Sequence, residues 1–81
     1  MVIKETTAGR KFTHADAQAL VGHSMRYDSE IMLEKGAKKI NAKSLMGVVA
    51  MMLDRGDAVT VIANGDDQEE AIAAVVKMIC A

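Results

Sequence analysis

The sequence predicts an α+β two-layer fold in the order β-α-β-β-α-β-α, an antiparallel or mixed sheet covered on one face by helices and solvated on the other. Three observations predict it. Asp57 to Ala63 alternates, with Val59, Val61 and Ala63 on one side and Ala58, Thr60 and Ile62 on the other. Two segments open on capping-box patterns, Thr13 with Asp16 and Asp66 with Glu69, and continue at helical spacing. The 81 residues hold no proline, repeat or low-complexity stretch where a linker could be placed, so residues 1–81 are read as a single domain. A chain of this length buries only ~60–65% of its unfolded surface, and its core is expected to be thin.

Taken in order, Met1 to Thr7 carries Val2, Ile3 and two threonines, β-branched residues that suit a pleated surface. Ala8 to Phe12 reads as a loop around Gly9. The helix opened by Thr13 runs to about Met25 and places Ala17, Leu20, Val21 and Ser24 on one face. Glu30 to Glu34 and Lys38 to Ala42, on either side of Gly36, read as a hairpin with Ile31, Leu33 and Ile40 inward. Ser44 caps a short helix to about Leu53, with Gly56 suited to the left-handed position beyond its end. After the Asp57 to Ala63 strand, Asn64-Gly65 turns the chain into a last helix. That helix carries acids first and Lys77 late, as its dipole favours, and its buried face is expected to be Ile72, Val75, Val76 and Ile79.

Composition excludes several functions. Hydrophobic residues at 51% and charged residues at 26% fit a folded globular chain. Ten basic against eleven acidic residues give a net charge of −1, which provides no basic field for a nucleic-acid backbone, and one Tyr and one Phe leave little for base or sugar stacking. A single cysteine, Cys80, rules out an intrachain disulfide and a cysteine-only metal site. His14 and His23 lie nine residues apart, too far along one helix to share a metal; His23, near a helix C-terminus, reads as a solvated or capping residue. No secretory h-region and no apolar run of ~20 residues is present, so the expectation is a cytoplasmic protein without membrane contact, cofactor or metal. No nucleophile and base pair in the sequence, which argues against an enzyme.

Arg26-Tyr27-Asp28-Ser29-Glu30-Ile31-Met32-Leu33-Glu34-Lys35, followed by Lys39-Ile40-Asn41-Ala42-Lys43-Ser44-Leu45-Met46-Gly47, resembles the middle third of HPr, the histidine-containing phosphocarrier of the bacterial sugar phosphotransferase system, and of its catabolite-repression HPr-like relatives. The similarity runs without a gap from Tyr27 to Asp66, and the element order fits the whole chain. The resemblance implies an open-faced sandwich, a four-stranded antiparallel sheet covered on one face by three helices. It implies a histidine at the start of the first helix that takes phosphate from Enzyme I and passes it to sugar-specific components. It also implies a serine at the start of the second helix that HPr kinase/phosphorylase modifies in Gram-positive bacteria, the phosphoserine form docking on the catabolite control protein. That serine corresponds to Ser44, with Leu45, Met46 and Val49 as the docking residues beside it.

The histidine motif departs from the family pattern of histidine, small residue, arginine and proline. The gapless continuation sets Thr13, His14, Ala15 and Asp16 on those four positions, so His14 falls one residue late and the arginine and proline have no counterpart. Alanine cannot supply the bidentate donors of the arginine, and Asp16 adds negative charge where a phosphoryl group would sit. His14 remains in a first helical turn, which suits an anionic phosphate, and Arg10 and Lys11 lie just upstream as charge partners. Against that stands a simpler account in which Thr13 caps the helix and His14 is an exposed residue without a role. Thr13 has no neighbouring base to activate its hydroxyl. Ser44 is a preferred N-cap in any fold, yet capping does not explain Leu45 and Met46 directly after it, at first-turn positions that usually face solvent. The reading that follows is an HPr-like phosphocarrier or regulatory protein in which regulation through Ser44 takes precedence over phosphotransfer through His14. The alternative is a phosphorylation-silent HPr-fold binding module, a monomer or weak homodimer acting through the second helix or by exchange of its first strand about Gly9.

Overall fold

Alternation at the centre of the sheet and helical spacing around it produce the expected order of elements. The computed structural model describes residues 1–81: β1 (Val2–Thr7), α1 (His14–Ser24), β2 (Glu30–Lys35), β3 (Lys38–Asn41), α2 (Leu45–Met51), β4 (Ala58–Asn64) and α3 (Gln68–Cys80). The four strands form one sheet in the order β1-β4-β2-β3, and every neighbouring pair is antiparallel. The inner strands are therefore β4 and β2, the last and the second in the chain. Their register sets Ile31 opposite Ala63 and Leu33 opposite Val61, and all four side chains are buried together with Val59. The helices close this face with Ala17 and Leu20 from α1, Val48 and Met51 from α2, and Ala71, Ile72, Val75 and Ile79 from α3. Ile3, Ile62 and Met32 lie in register on the other face, where Ile3 is exposed.

The first helix starts as its sequence dictates. The Asp16 amide donates to Thr13 Oγ1 (3.1 Å) and the Thr13 amide donates to Asp16 Oδ2 (2.9 Å), a complete capping box. Ser24 is buried, and its hydroxyl donates to the Leu20 carbonyl at 2.8 Å, so it costs no unpaired polar group. Val21 and Val76 are half-buried against the core, and Ala71 is inside it. No helix is long and apolar enough to cross a membrane.

Two local expectations are corrected. Asp66 and Glu69 form no capping box: the N-cap of α3 is Asp67, and its side chain caps nothing in its own helix. Its carboxylate instead accepts from the backbone amides of Asp28 and Ser29, both at 2.9 Å, and from the Ser29 hydroxyl, so a cross-chain partner wins over the local one. The second helix also ends earlier than Leu53. Met51 is its last residue, Met52 takes the left-handed conformation (φ 53, ψ 53) expected of Gly56, and Leu53 drops into the core. Gly56 (φ 90) instead shapes the turn before β4, where its amide donates to the Ala8 carbonyl at 2.9 Å. The Ala8 to Phe12 loop is tied down throughout: Ala8, Gly9 and Phe12 donate their amides to Asp57, Ile79 and Leu53.

Candidate functional site

Ser44 stands at the N-terminus of α2 in extended conformation (φ −103, ψ 113), and its Oγ accepts from the Gly47 amide at 3.2 Å. The loop ahead of it is fixed by an Asn41 side chain that accepts from the Lys43 amide (2.8 Å) and by a Lys43 ammonium that donates to the Tyr27 carbonyl (2.7 Å). Gly47 keeps the space beside the hydroxyl open, since a Cβ there would stand 3.3 Å from Ser44 Oγ and 3.2 Å from Ile40 Cβ.

The apolar residues of α2 divide between two faces. Val48 and Met51 enter the core, whereas Met46, Val49 and Met52 are 85%, 41% and 73% exposed. Leu45, expected to face solvent beside Met46, is half-buried against the core. Successive residues point ~100° apart around a helix, so the two cannot share one outward direction. Met52 joins the exposed row at its far end, just beyond the last helical residue.

The end of α2 is held by side chains from the β2–β3 hairpin, a feature with no local sequence signal. Lys35 Nζ donates to the Met51 and Met52 carbonyls at 3.1 and 3.0 Å and pairs with Asp57 at 2.9 Å. Lys38 Nζ donates to the Ala50 carbonyl at 3.3 Å. Lys35 and Lys38 face each other across the hairpin, a like-charge pairing that is ordinarily unfavourable and is offset here by the negative end of α2 and by Asp57. The bond from Lys35 is the leading reason that the Asp57 carboxyl titrates below the usual carboxylate range.

His14 is the first residue of α1 and is exposed. With Phe12, Val49, Met52 and Leu53 it lines a shallow cleft of about 80 Å³ between the start of α1 and the end of α2. Lys11 borders the adjoining groove with Phe12, Val49 and Met52. Thr13 is engaged in the capping box. Arg10, expected as a phosphate neighbour, is committed elsewhere: its guanidinium donates to Asp16 Oδ1 (3.2 Å) and to the Ala81 main-chain oxygen (2.9 Å), and it lies 5.2 Å over the Phe12 ring. The Thr13 amide, and after it Arg10, hold the Asp16 carboxyl below its ordinary range. The structure thus brings His14, Val49 and Met52 to one cleft and sets Ser44 at the other end of the seven-residue helix, ~10 Å along its axis. No group of three or more His, Cys, Asp or Glu side chains is arranged to hold a metal ion.

Known proteins resemble this chain in sequence and in fold. The family model described as the PTS HPr component phosphorylation site matches residues 13–81. The HPr-like protein Crh of Halalkalibacterium halodurans is 40% identical over 63 residues, covering 78% of this chain and 75% of that protein. Crh of Bacillus subtilis is 43% identical over 56 residues, covering 69% and 66%. Among solved structures, the phosphocarrier protein HPr of Bacillus anthracis superimposes with a TM-score of 0.91 at 29% identity over 96% of this chain and 95% of that one. A Bacillus subtilis Crh structure described as a swapped dimer gives 0.78 at 34% identity over 91% and 82%.

Proposed function

Because the chain belongs to the HPr family of the phosphotransferase system, whose members are phosphocarrier or regulatory proteins and not enzymes, we propose that it acts through protein contacts on α2 governed by phosphorylation of Ser44. The observation that carries this reading is the exposed apolar row of Met46 and Val49, on the helix that Ser44 opens, and Met52 just past its end. A phosphate on Oγ brings ~−2 charge to one end of that row, so one modification changes both the charge and the docking properties of the same surface. HPr kinase/phosphorylase would be the modifying partner and the catabolite control protein the reader.

Phosphotransfer through His14 is the lesser part of the proposal. Its imidazole is accessible and shares a cleft with Val49 and Met52, but the nearest candidate guanidinium, Arg10, is engaged with Asp16 and the Ala81 main chain. Carriage would add Enzyme I and sugar-specific components as partners, with Lys11 as the remaining cation of the loop.

Phosphate incorporation tests both parts. The protein is incubated with phosphoenolpyruvate plus Enzyme I and, separately, with ATP plus HPr kinase/phosphorylase, and the site and acid stability are read by mass spectrometry. Acid-stable phosphate on Ser44 is the expected outcome. Acid-labile phosphate on His14 at full stoichiometry would reverse the order of the two roles. No incorporation from either donor would leave the second reading, a binding module or homodimer. That reading draws support from the swapped Bacillus subtilis relative and from β1, an edge strand paired only with β4. Light scattering after size exclusion separates the two: a strict monomer at high concentration removes the dimer.

A further inference from the structure

The largest cavity of the molecule lies away from α2, where the last turn of α1 and the second half of α3 meet the loop after β1. It measures about 410 Å³ and is lined by Arg10, His23, Ala74, Lys77, Met78 and Ala81. Arg10, His23 and Lys77, nitrogen-bearing side chains from three separate parts of the chain, are among its lining residues; no Asp or Glu is, and the Ala81 main-chain oxygen that Arg10 engages belongs to the same lining residue set. Arg10 is fixed by its bonds to Asp16 and to the Ala81 oxygen and by the Phe12 ring beneath it, which leaves further N–H groups of its five-donor fork available. His23 and Lys77 make no side-chain ion pair within the protein. Ala74 and Met78 give the pocket an apolar wall.

We propose that this pocket binds a small metabolite carrying a phosphomonoester. A tetrahedral dianion presents three oxygens in different directions and can take guanidinium, imidazole and ammonium donors at once, which a planar carboxylate cannot do as well. The apolar wall receives the carbon skeleton, and a volume of about 410 Å³ admits a phosphorylated sugar. The carbonyl ends of α1 and α3 and the Asp16 carboxylate offset part of the positive charge, so the dissociation constant belongs near ~1 mM at low salt and rises with ionic strength. The site is independent of Ser44 and His14. It accounts for Arg10 and His23, two residues that the phosphorylation chemistry leaves without a part.

The test is a backbone amide NMR titration of the full chain with glucose 6-phosphate, inorganic phosphate and glucose. The expected result is saturable shifts at His23, Ala74, Lys77 and Met78 with glucose 6-phosphate, weaker saturation with inorganic phosphate, and none with glucose. His23→Gln combined with Lys77→Gln, both at exposed positions, weakens glucose 6-phosphate at least about tenfold while the remaining spectrum is unchanged. Equal shifts with glucose, shifts centred on the first turn of α1 or on Ser44, an affinity unaltered in the double variant, or no saturation below ~20 mM would each overturn the proposal.

Discussion

Gly22 and Gly65 show how far a single residue's effect depends on what surrounds it. Gly22 lies within α1, and an added Cβ there would meet no atom within 4 Å. Gly65 adopts φ +156, and a Cβ would stand 2.7 Å from both Cα and Oγ of the buried Ser29. The same substitution should act with opposite signs. Gly22→Ala removes conformational freedom from the unfolded chain and stabilises by ~0.5–1 kcal/mol, whereas Gly65→Ala combines strain with overpacking and destabilises by ~2 kcal/mol or more. Urea unfolding midpoints measure both, and a stable Gly65→Ala would show that Ser29 yields. Ser44 invites a comparable pair. Ser44→Ala loses the cap, at a stability cost of ~1 kcal/mol, and with it the hydroxyl proposed as phosphoacceptor. Ser44→Asn keeps a capping oxygen, so it should retain wild-type stability while abolishing labelling by HPr kinase/phosphorylase. Persistent labelling of Ser44→Asn would place the acceptor elsewhere. Residues of this kind were legible in the sequence when their partners are near. Thr13 finds Asp16 three residues on, but Asp67 finds Ser29 across 38 residues, and no local pattern announces that.

Among the elements, α1 and β4 are legible because their own spacing decides which face is buried, whereas α2 (Leu45–Met51) is shorter than its apolar run predicts. Its apolar run continues through Met52 and Leu53, and periodicity alone cannot distinguish a helix that continues from a chain that leaves the helix and remains buried. Its end is set by tertiary contacts: the Lys35 and Lys38 ammonium groups take up the Ala50, Met51 and Met52 carbonyls. With no acid in its own first turn and no base in its own last turn, α2 depends on that hairpin. Lys35→Met should therefore fray the last turn. The expected result is faster amide exchange at Met51 to Leu53 and a Tm lower by ~4–8 °C for each ~1 kcal/mol lost, with unaltered exchange in α3. Lys38→Met, which removes a single 3.3 Å bond, should have the smaller effect. Equal protection in wild type and Lys35→Met would mean that packing of Val48 and Met51 suffices to end the helix.

At the scale of the whole molecule, the sequence supplied the order of elements but left the sheet antiparallel or mixed, because the order β1-β4-β2-β3 depends on which strands meet across the core. The resemblance resolves that point, and it is also what singles out Ser44 and His14 as candidates. The engagement of Arg10 with Asp16 is not found through it, because the ion pair also depends on where α3 ends in space. Three carboxylates act as such ties between segments. Asp16 anchors the loop after β1, Asp57 anchors the hairpin through Lys35, and Asp67 anchors the start of α3 to the start of β2. All three titrate below their ordinary value, Asp67 chiefly through the Ser29 hydroxyl, Asp57 chiefly through Lys35 and Asp16 chiefly through the Thr13 amide. The unfolded chain therefore takes up these protons first as the pH falls, so the stabilisation is complete above the unfolded pKa of ~3.9 and is lost as the pH drops through the lower folded values. The urea midpoint should stay level between ~pH 7 and ~pH 5 and then fall steeply below ~pH 4. Asp67→Asn should lower the neutral-pH midpoint and flatten the acid limb, because an amide bears no proton to gain. An acid limb of unchanged slope in Asp67→Asn would assign the loss to Asp16 and Asp57 and leave the contact with Ser29 as a hydrogen bond without a role in the pH response.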